Sequence, residues 1–466
     1  MKITRKLICL LLATFILMLS AGCGDGVSSA VNNSSDSNST HRPIPEKEDV
    51  VVYEDNDHLF DFETVEWNGP DGYVIVVPKG NTSAKNSAKL LKDYYRDSFN
   101  IELSIVTDDT KPADKEIIIG KTNRQETDVT INEANLAVSV KGNKLVFDGG
   151  HNVTVDTAVK KYIRLAPEVN VAKTFSIETD FKSTLDDGYK YVWGDEFEGV
   201  GLDDSNWELI QKMAGNEVVE VSTDKAVVDV NDGRLKMHAI SYFNKYKQDV
   251  EYRVPCSVVT QNKMNYVYGY AEIRARVPYS QGVWASWWTQ GEGSLGVRKN
   301  FDYMVEVDMY EIFKTYEKTS YLIQWFPSEF DYNKRYEPDK TPGVSTSIST
   351  GILKDFENVY RFEASPTLNY EYHIYGFEWT PEEMIMTVDG TVNARYDLSK
   401  PFSKHEDMSG FHDPQFFIFN THLFYPGVSE SDVSISTSPQ SLPACHYIDY
   451  IRLYQKDGVG KLYTAN

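Results

Sequence analysis

Three acidic side chains stand close together in the segment MVEVDMYEIF at residues 304–313: Glu306, Asp308 and Glu311. In a regular strand, Glu306 and Asp308 share one face and Glu311 points to the other. A β-bulge that consumes one residue would bring all three carboxylates to one face. Two carboxyl groups about 5–5.5 Å apart serve a retaining glycosidase as nucleophile and general acid. The spacing therefore predicts a catalytic pair, Glu306 and Glu311.

The neighbours of these acids favour catalysis over a solvated strand face. Val305, Val307 and Met309 predict a largely buried strand, and buried carboxylates are costly unless they have a purpose. Crowding of three carboxylates also disfavours full ionisation, so one proton is retained near neutral pH. A retained proton is what a general acid requires.

The elements that would position these acids are short strands. Across residues 188–457, aromatic and β-branched runs alternate with turn signals such as NDG at 231–233 and VDG at 388–390. Long helical periodicity is absent. This pattern predicts an antiparallel β-sandwich.

A different pattern precedes the sandwich. Residues 50–180 alternate strand and helix signals, with strands near 73–77 and 116–120, a hairpin at 137–150 and two amphipathic helices. We predict a small α/β domain there. The stretches EIIIGKTNR and NKLVFDGGH resemble accessory domains of bacterial α-glucuronidases and hexosaminidases. Both a packing role and glycan binding stay open for it.

The N-terminus has the pattern of an export signal. A basic start precedes an apolar run at 7–19 and the sequence Ser-Ala-Gly-Cys23, which is typical of a lipoprotein signal peptide over residues 1–22. Residues 23–49 read as a flexible Ser/Asn-rich linker, and 458–466 as a short tail. We expect an exported protein held on the bacterial surface by lipid on Cys23, with plain secretion as the alternative.

Charge and cysteines restrict the partners. The formal charge of −22 argues against nucleic acid and polyanions, although it also suits simple solubility. We expect a monomer that meets the membrane only through the lipid. No cysteine or histidine cluster suggests zinc, and Cys256 and Cys445 either form a disulfide or are two buried thiols.

The ExDxxE segment resembles that of the family 16 glycoside hydrolases, which are concanavalin-like jelly rolls with an open cleft. The resemblance extends over about 265 residues, with further motifs in the family's order: WGDEFEG at 193–199, YGYAEIRARVP at 268–278, QGVWASWW at 281–288, HIYGFEWTP at 373–381, FIFN at 417–420 and IDYIRLY at 448–454.

The resemblance implies roles for individual residues. Glu306 would be the nucleophile, Asp308 its assistant and Glu311 the acid/base. Substrate would be bound by Trp284, Trp288, Gln324, Trp325, Asn420 and His422. No cofactor is required for catalysis. One structural calcium is implied, held by the backbone oxygens of Glu196 and Gly233 and by Asp449, although Asp449 could equally form a salt bridge.

These observations favour an endo-acting, retaining β-glycosidase with a polysaccharide substrate. A β-1,3- or β-1,3/1,4-glucan is the leading substrate and a β-galactan or galactose-containing glycan is the alternative, because RKNFDYMVEVDMYE differs from the run typical of laminarinases. A non-catalytic glycan-binding protein is the hypothesis of a different class, but such a protein would be expected to lose one carboxylate of the pair. Hydrolysis and transglycosylation both stay open.

Overall fold

The computed structural model describes residues 62–67, 69–127, 131, 133–165, 174–178, 185, 188–211, 219–278, 280, 282–291, 303–314, 319–329, 372–399, 409–423 and 442–465. The proposed signal peptide, Cys23 and the linker lie outside these residues. Within them, no helix combines the length and apolar character that crossing a membrane requires.

The first part of the chain forms an α/β sheet with two helices. The elements are β1 (Phe62–Glu66), β2 (Val74–Val77), α1 (Thr82–Phe99), β3 (Ser104–Thr107), β4 (Glu116–Ile119), β5 (Leu136–Lys141), β6 (Lys144–Gly149), α2 (Asn152–Leu165) and β7 (Thr174–Glu178). The strands of the sheet stand in the order β3-β2-β4-β6-β5, and all neighbours are parallel except the β5–β6 hairpin. Strands β1 and β7 pair separately.

Helix α1 shows why the sequence folds this way. Ala84, Ala88, Leu91 and Tyr95 recur at helical spacing and are all buried. The side chain of Asn81 accepts a hydrogen bond from the Ala84 amide and so caps the first turn. The predicted hairpin and both helices are present.

The second part is a sandwich of two sheets around a shared apolar core. Its elements are β8 (Tyr189–Asp195), β9 (Glu208–Ile210), β10 (Val219–Ser222), β11 (Val228–Asn231), β12 (Arg234–Asn244), β13 (Asp249–Pro255), β14 (Ser257–Val259), β15 (Met264–Val267), β16 (Gly269–Arg276), β17 (Val283–Gln290), β18 (Tyr303–Lys314), β19 (Thr319–Glu329), β20 (His373–Trp379), β21 (Glu383–Val388), β22 (Thr391–Asp397), a 3-10 turn (Ser409–His412), β23 (Phe416–Leu423), β24 (Ala444–Lys456) and β25 (Lys461–Thr464). One sheet has ten strands. Eight of them follow the order β10-β13-β12-β24-β16-β20-β21-β22, while β11 pairs with β12 and β8 pairs with β24; the other sheet has the order β19-β18-β17-β23-β14-β9.

Two-residue turns connect its hairpins where the sequence predicted them. Asp232 and Gly233 join β11 to β12 with φ angles of 52° and 71°, and Asp389 and Gly390 join β21 to β22 with 48° and 74°. Positive φ at both positions matches the right-handed twist of the flanking strands. Almost all pairs in the sandwich are antiparallel, as predicted; β10 and β13 are parallel.

Two sequence expectations have a definite outcome here. The segment interpreted as a tail contains β25, which pairs with β15, because Leu462 and Tyr463 pack against the sandwich core. Cys256 and Cys445 are separate, buried thiols.

Candidate active site

The central strand β18 is irregular at the acidic segment. On one side, Trp287 pairs with Tyr310 and Trp288 with Asp308, so Met309 faces no residue of β17. On the other side, the register of β18 against β19 shifts between Asp308 and Glu311. Met309 and Tyr310 are consecutive, yet both belong to the core. The predicted β-bulge is therefore present, and it reverses the alternation of the residues that follow it.

Because of this bulge, the three acids line one cavity. It has a volume of about 210 Å³ and lies on the outer face of the six-stranded sheet's centre, where β17, β18 and β23 run side by side. Glu311 and Asp308 stand directly opposite Ser286 and Trp288 in the register. The lining residues are Trp284, Ser286, Trp288, Glu306, Asp308, Glu311, Asn420 and His422. None of these lining residues is a lysine or an arginine.

The carboxylates sit in different environments. Asp308 and Glu311 are buried, whereas Glu306 is partly exposed. Burial raises the pKa of Glu311 to about 7, and the Trp284 indole acts weakly in the opposite direction. Burial disfavours the charged form of a carboxyl group. Glu311 thus holds a proton at a pH where an ordinary glutamate is ionised, which suits a general acid.

Comparison with known proteins gives one matching protein family. Residues 215–415 match the family model described as "Glycosyl hydrolases family 16". This part of the chain is similar to the family 16 glycosyl hydrolases. The matched range includes all three acids and both cavity tryptophans, whereas Asn420 and His422 lie beyond its end.

Two curated relatives show the extent of the similarity. "Glucan endo-1,3-beta-glucosidase A1" of Niallia circulans is 24% identical over 315 residues, which are 62% of this chain and 41% of that protein. "Beta-glucanase" of Rhodothermus marinus is 22% identical over 270 residues, 57% of this chain and 85% of that protein. The chain thus spans less than half the length of the first relative and most of the second.

Among solved structures, SCLam, described as a non-specific endo-beta-1,3(4)-glucanase from the same family, is similar. It is 19% identical to this chain, with a TM-score of 0.42, and the match covers 59% of this chain and 94% of that one.

Strand β17 presents two tryptophans to the cavity. Trp284 and Trp288 are partly exposed there, whereas Trp287 on the opposite strand face is fully buried in the core. The indole N–H of Trp288 donates to Asn420 Oδ1 at 2.8 Å, and Asn420 Nδ2 donates to Ser257 Oγ at 2.7 Å. These bonds hold Trp288 against the cavity wall.

The other substrate-binding residues named from sequence fall into two groups. His422 lines the cavity beside Asn420. Gln324 and Trp325 lie on β19, where the register pairs them with Asp308 and Val307, and their side chains are outside the described part. Sequence reasoning gave no role to Ser286, which lines the cavity, or to Ser257, whose proximity depends on the pairing of β14 with β23.

The implied calcium does not fit Asp449. Lys161 Nζ, from helix α2, lies 3.0 and 2.8 Å from the two carboxylate oxygens, and an Arg274 nitrogen lies 3.1 Å from Oδ2. All three side chains are buried. A calcium ion would have to displace a buried ammonium group from both oxygens. Among the described residues, no group of three or more histidine, cysteine or acidic side chains is arranged to hold a metal.

A larger cavity of about 470 Å³ lies elsewhere, between the first turns of α1 and α2 and the loop after β8. Three of its acids have structural partners: Asp195 accepts from Trp207, Glu196 from Arg452, and Asp156 pairs with Lys160. We therefore place the chemistry in the smaller cavity.

Proposed function

We propose that the chain is an endo-acting, retaining β-glycosidase that hydrolyses a polysaccharide, with β-1,3- or β-1,3/1,4-glucan as substrate. The observation that carries the proposal is the bulge at Met309, which brings Glu306, Asp308 and Glu311 into one cavity with two tryptophans. The names of the curated relatives support the glucan.

The chemistry follows from the three environments. The partly exposed Glu306 attacks the anomeric carbon while Glu311 protonates the departing glycosidic oxygen, giving a covalent glycosyl-enzyme. Ionised Glu311 then removes a proton from water, which attacks that carbon and releases Glu306. Asp308, between them on the strand, is the proposed assistant of the nucleophile Glu306. Catalysis uses carboxyl groups and requires no cofactor, and Lys161 occupies the Asp449 oxygens that the implied calcium would bind.

The shape of the site favours a neutral chain. Trp284 and Trp288 stand four residues apart on β17, roughly 13 Å at strand spacing, so they can stack on sugars in different subsites. The described lining holds three acids and neither lysine nor arginine, which disfavours anionic glycans. Platforms that contact separate sugars suit cleavage within a polymer.

The decisive experiment is a panel of polysaccharides assayed for new reducing ends. We expect wild-type protein to release oligosaccharides from β-1,3- or mixed-linkage glucan, and Glu306→Gln to lose at least about a thousandfold in turnover while still binding the polymer. Release from β-galactan alone would move the substrate to the alternative. Depletion from solution by a polymer without new ends would identify a binding protein and overturn the proposal.

We also propose that the enzyme is exported and tethered by lipid on Cys23. The basic start, the apolar run at 7–19 and the residues before Cys23 support this. Fractionation of a bacterial host tests it: wild-type protein should partition with membranes, and Cys23→Ala should lose the lipid mass and leave the membrane fraction. Equal partition of both proteins would overturn the anchor.

A further inference from the structure

One buried hydroxyl touches the cavity wall without lining the cavity. Ser257 begins β14 and is 2% exposed. Its Oγ accepts a hydrogen bond from Asn420 Nδ2 at 2.7 Å, and the other end of the same amide, Oδ1, accepts from the Trp288 indole at 2.8 Å. The three side chains form a chain of hydrogen bonds that ends at a cavity aromatic.

The direction of these bonds fixes the indole. An indole N–H can only donate, so Asn420 must present its oxygen to Trp288 and its NH₂ group away from it. Ser257, which is almost completely buried, supplies the acceptor for that NH₂ group. Without it, a buried donor would be left unsatisfied, and the amide would gain by rotating toward another acceptor. The indole would then lose its partner.

Apolar packing holds the same ring from behind. Trp288 packs against the cluster of Val259, Phe416 and Ile418 while part of its surface remains exposed in the cavity. Packing sets the depth of the ring but allows it to tilt. The hydrogen bond through Asn420 restricts that tilt, because N–H···O bonds weaken steeply away from linearity.

We propose that Ser257 is a positioning residue for substrate binding, which orients the Trp288 stacking platform through Asn420. This inference rests on the proposed function, in which Trp288 stacks on a sugar. Stacking on a sugar ring acts equally in the ground state and the transition state. Loss of the orientation should therefore raise KM and leave kcat nearly unchanged.

The test compares Ser257→Ala with a matched control, Thr260→Val. The Thr260 hydroxyl is also buried and accepts a hydrogen bond from a β23 backbone amide, that of Phe417, at 3.0 Å, and Phe417 is not among the described residues that line the cavity. On the panel polysaccharide that wild-type protein cleaves, we expect Ser257→Ala to raise KM about three- to tenfold with kcat within about twofold. Thr260→Val should lower the Tm without changing KM.

A second measurement does not depend on activity. Selective ¹⁵N labelling of tryptophan gives one indole signal for each ring, and Trp288→Phe identifies the one from Trp288. In Ser257→Ala that signal should shift and its proton should exchange faster, whereas Ser257→Thr, which keeps the hydroxyl, should restore it. An unchanged Trp288 signal in folded Ser257→Ala overturns the inference whatever the chain hydrolyses.

A double-mutant cycle closes the argument. If Ser257 acts through Trp288, adding Ser257→Ala to Trp288→Phe should raise KM by less than about 1.5-fold more. Multiplication of the two single effects would overturn the positioning role. A shifted indole signal with no KM change, on a substrate that wild-type protein cleaves, would overturn it too.

Discussion

Glu311 shows how burial gives one carboxyl group a separate task. Its pKa is raised to about 7 by burial, and the acid/base must be protonated to donate to the leaving oxygen. We expect kcat/KM to fall as the pH rises through about 7, because the fraction of protonated Glu311 falls. A pH–rate profile from pH 4 to 9 measures this, and a profile that stays flat to pH 9 would contradict the assignment.

The same burial should reduce folding stability at high pH. The folded-state pKa of Glu311 lies above the usual 4.5, so stability is fully present below pH 4.5 and is lost as the pH rises through about 7. Glu311→Gln removes this loss. We expect it to stabilise the fold at pH 8 by up to roughly 3 kcal/mol, at about 1.4 kcal/mol per pKa unit, with little effect at pH 4.

Thermal unfolding at both pH values measures that difference, and each variant serves as its own control at acidic pH. A Glu311→Gln protein with a lower Tm at pH 8 than the wild type would show that the carboxylate is not strained by burial.

At the scale of single residues, spacing and residue type were enough to predict the three acids of the cavity. ExDxxE on an apolar strand predicted three acids that could meet only through a bulge, and all three line one cavity. Ser257 could not be found this way, because its contact with Asn420 spans 163 positions in the sequence. A serine on a strand cannot be assigned such a contact from sequence before the order of the strands in the sheet is known.

At the scale of the element, the bulge in β18 decides which face each residue takes. Met309 is the residue without a partner on β17. Before the bulge, Glu306 and Asp308 take the cavity face by ordinary alternation; after it, Glu311 rejoins that face. The bulge therefore places both Met309 and Tyr310 in the core and still keeps the three acids on the cavity face.

Deleting Met309 tests this geometry. Without it, Asp308 is followed by Tyr310 and then Glu311, so plain alternation still sends Tyr310 to the core and Glu311 to the cavity. We expect the deletion to leave a folded protein with measurable turnover, destabilised by about 2–5 kcal/mol because a buried methionine side chain is lost. Reducing-end assays and thermal unfolding give both quantities.

The matched change is an alanine inserted after Met309. Plain alternation then also sends Glu311 to the cavity face, but two residues further along β17, opposite Trp284 instead of Ser286, which is a displacement of roughly 7 Å. We expect this displacement to abolish turnover as thoroughly as Glu306→Gln does. If insertion and deletion had equal effects on activity, the position that the bulge gives Glu311 would not matter for catalysis.

Across the whole molecule, the α/β domain covers a charged surface of the ten-stranded sheet. Arg452 on β24 is fully buried and binds both Glu196 oxygens at 2.7 and 2.9 Å. The Thr157 hydroxyl of α2 donates to Glu196, and the Ala134 carbonyl accepts from Arg452. One turn further along α2, Lys161 pairs with Asp449. Removing water from these groups is costly, so each needs its partner.

The sequence predicted both folds but not how they pack together. The strand and helix patterns of 50–180 and 188–457 are local, whereas Lys161 and Asp449 are 288 positions apart. A family resemblance read from the sandwich alone implies a metal at Asp449, because it does not include the helix that brings the lysine. The packing role left open for the α/β domain gains physical support from these buried pairs.

Lys161→Met tests whether the α/β domain supplies the positive charge that Asp449 requires. The substitution removes the lysine from both carboxylate oxygens and leaves Arg274 as the cation beside Asp449, so we expect a loss of about 3 kcal/mol and a Tm several degrees lower. Lys160→Met is the matched control: its side chain is 38% exposed and pairs with Asp156, and surface pairs contribute at most about 1 kcal/mol. Because lysine occupies both oxygens of Asp449, the wild-type Tm should be equal in EDTA and in calcium. A Tm that falls in EDTA, or a Lys161→Met protein as stable as Lys160→Met, would contradict this account of the junction.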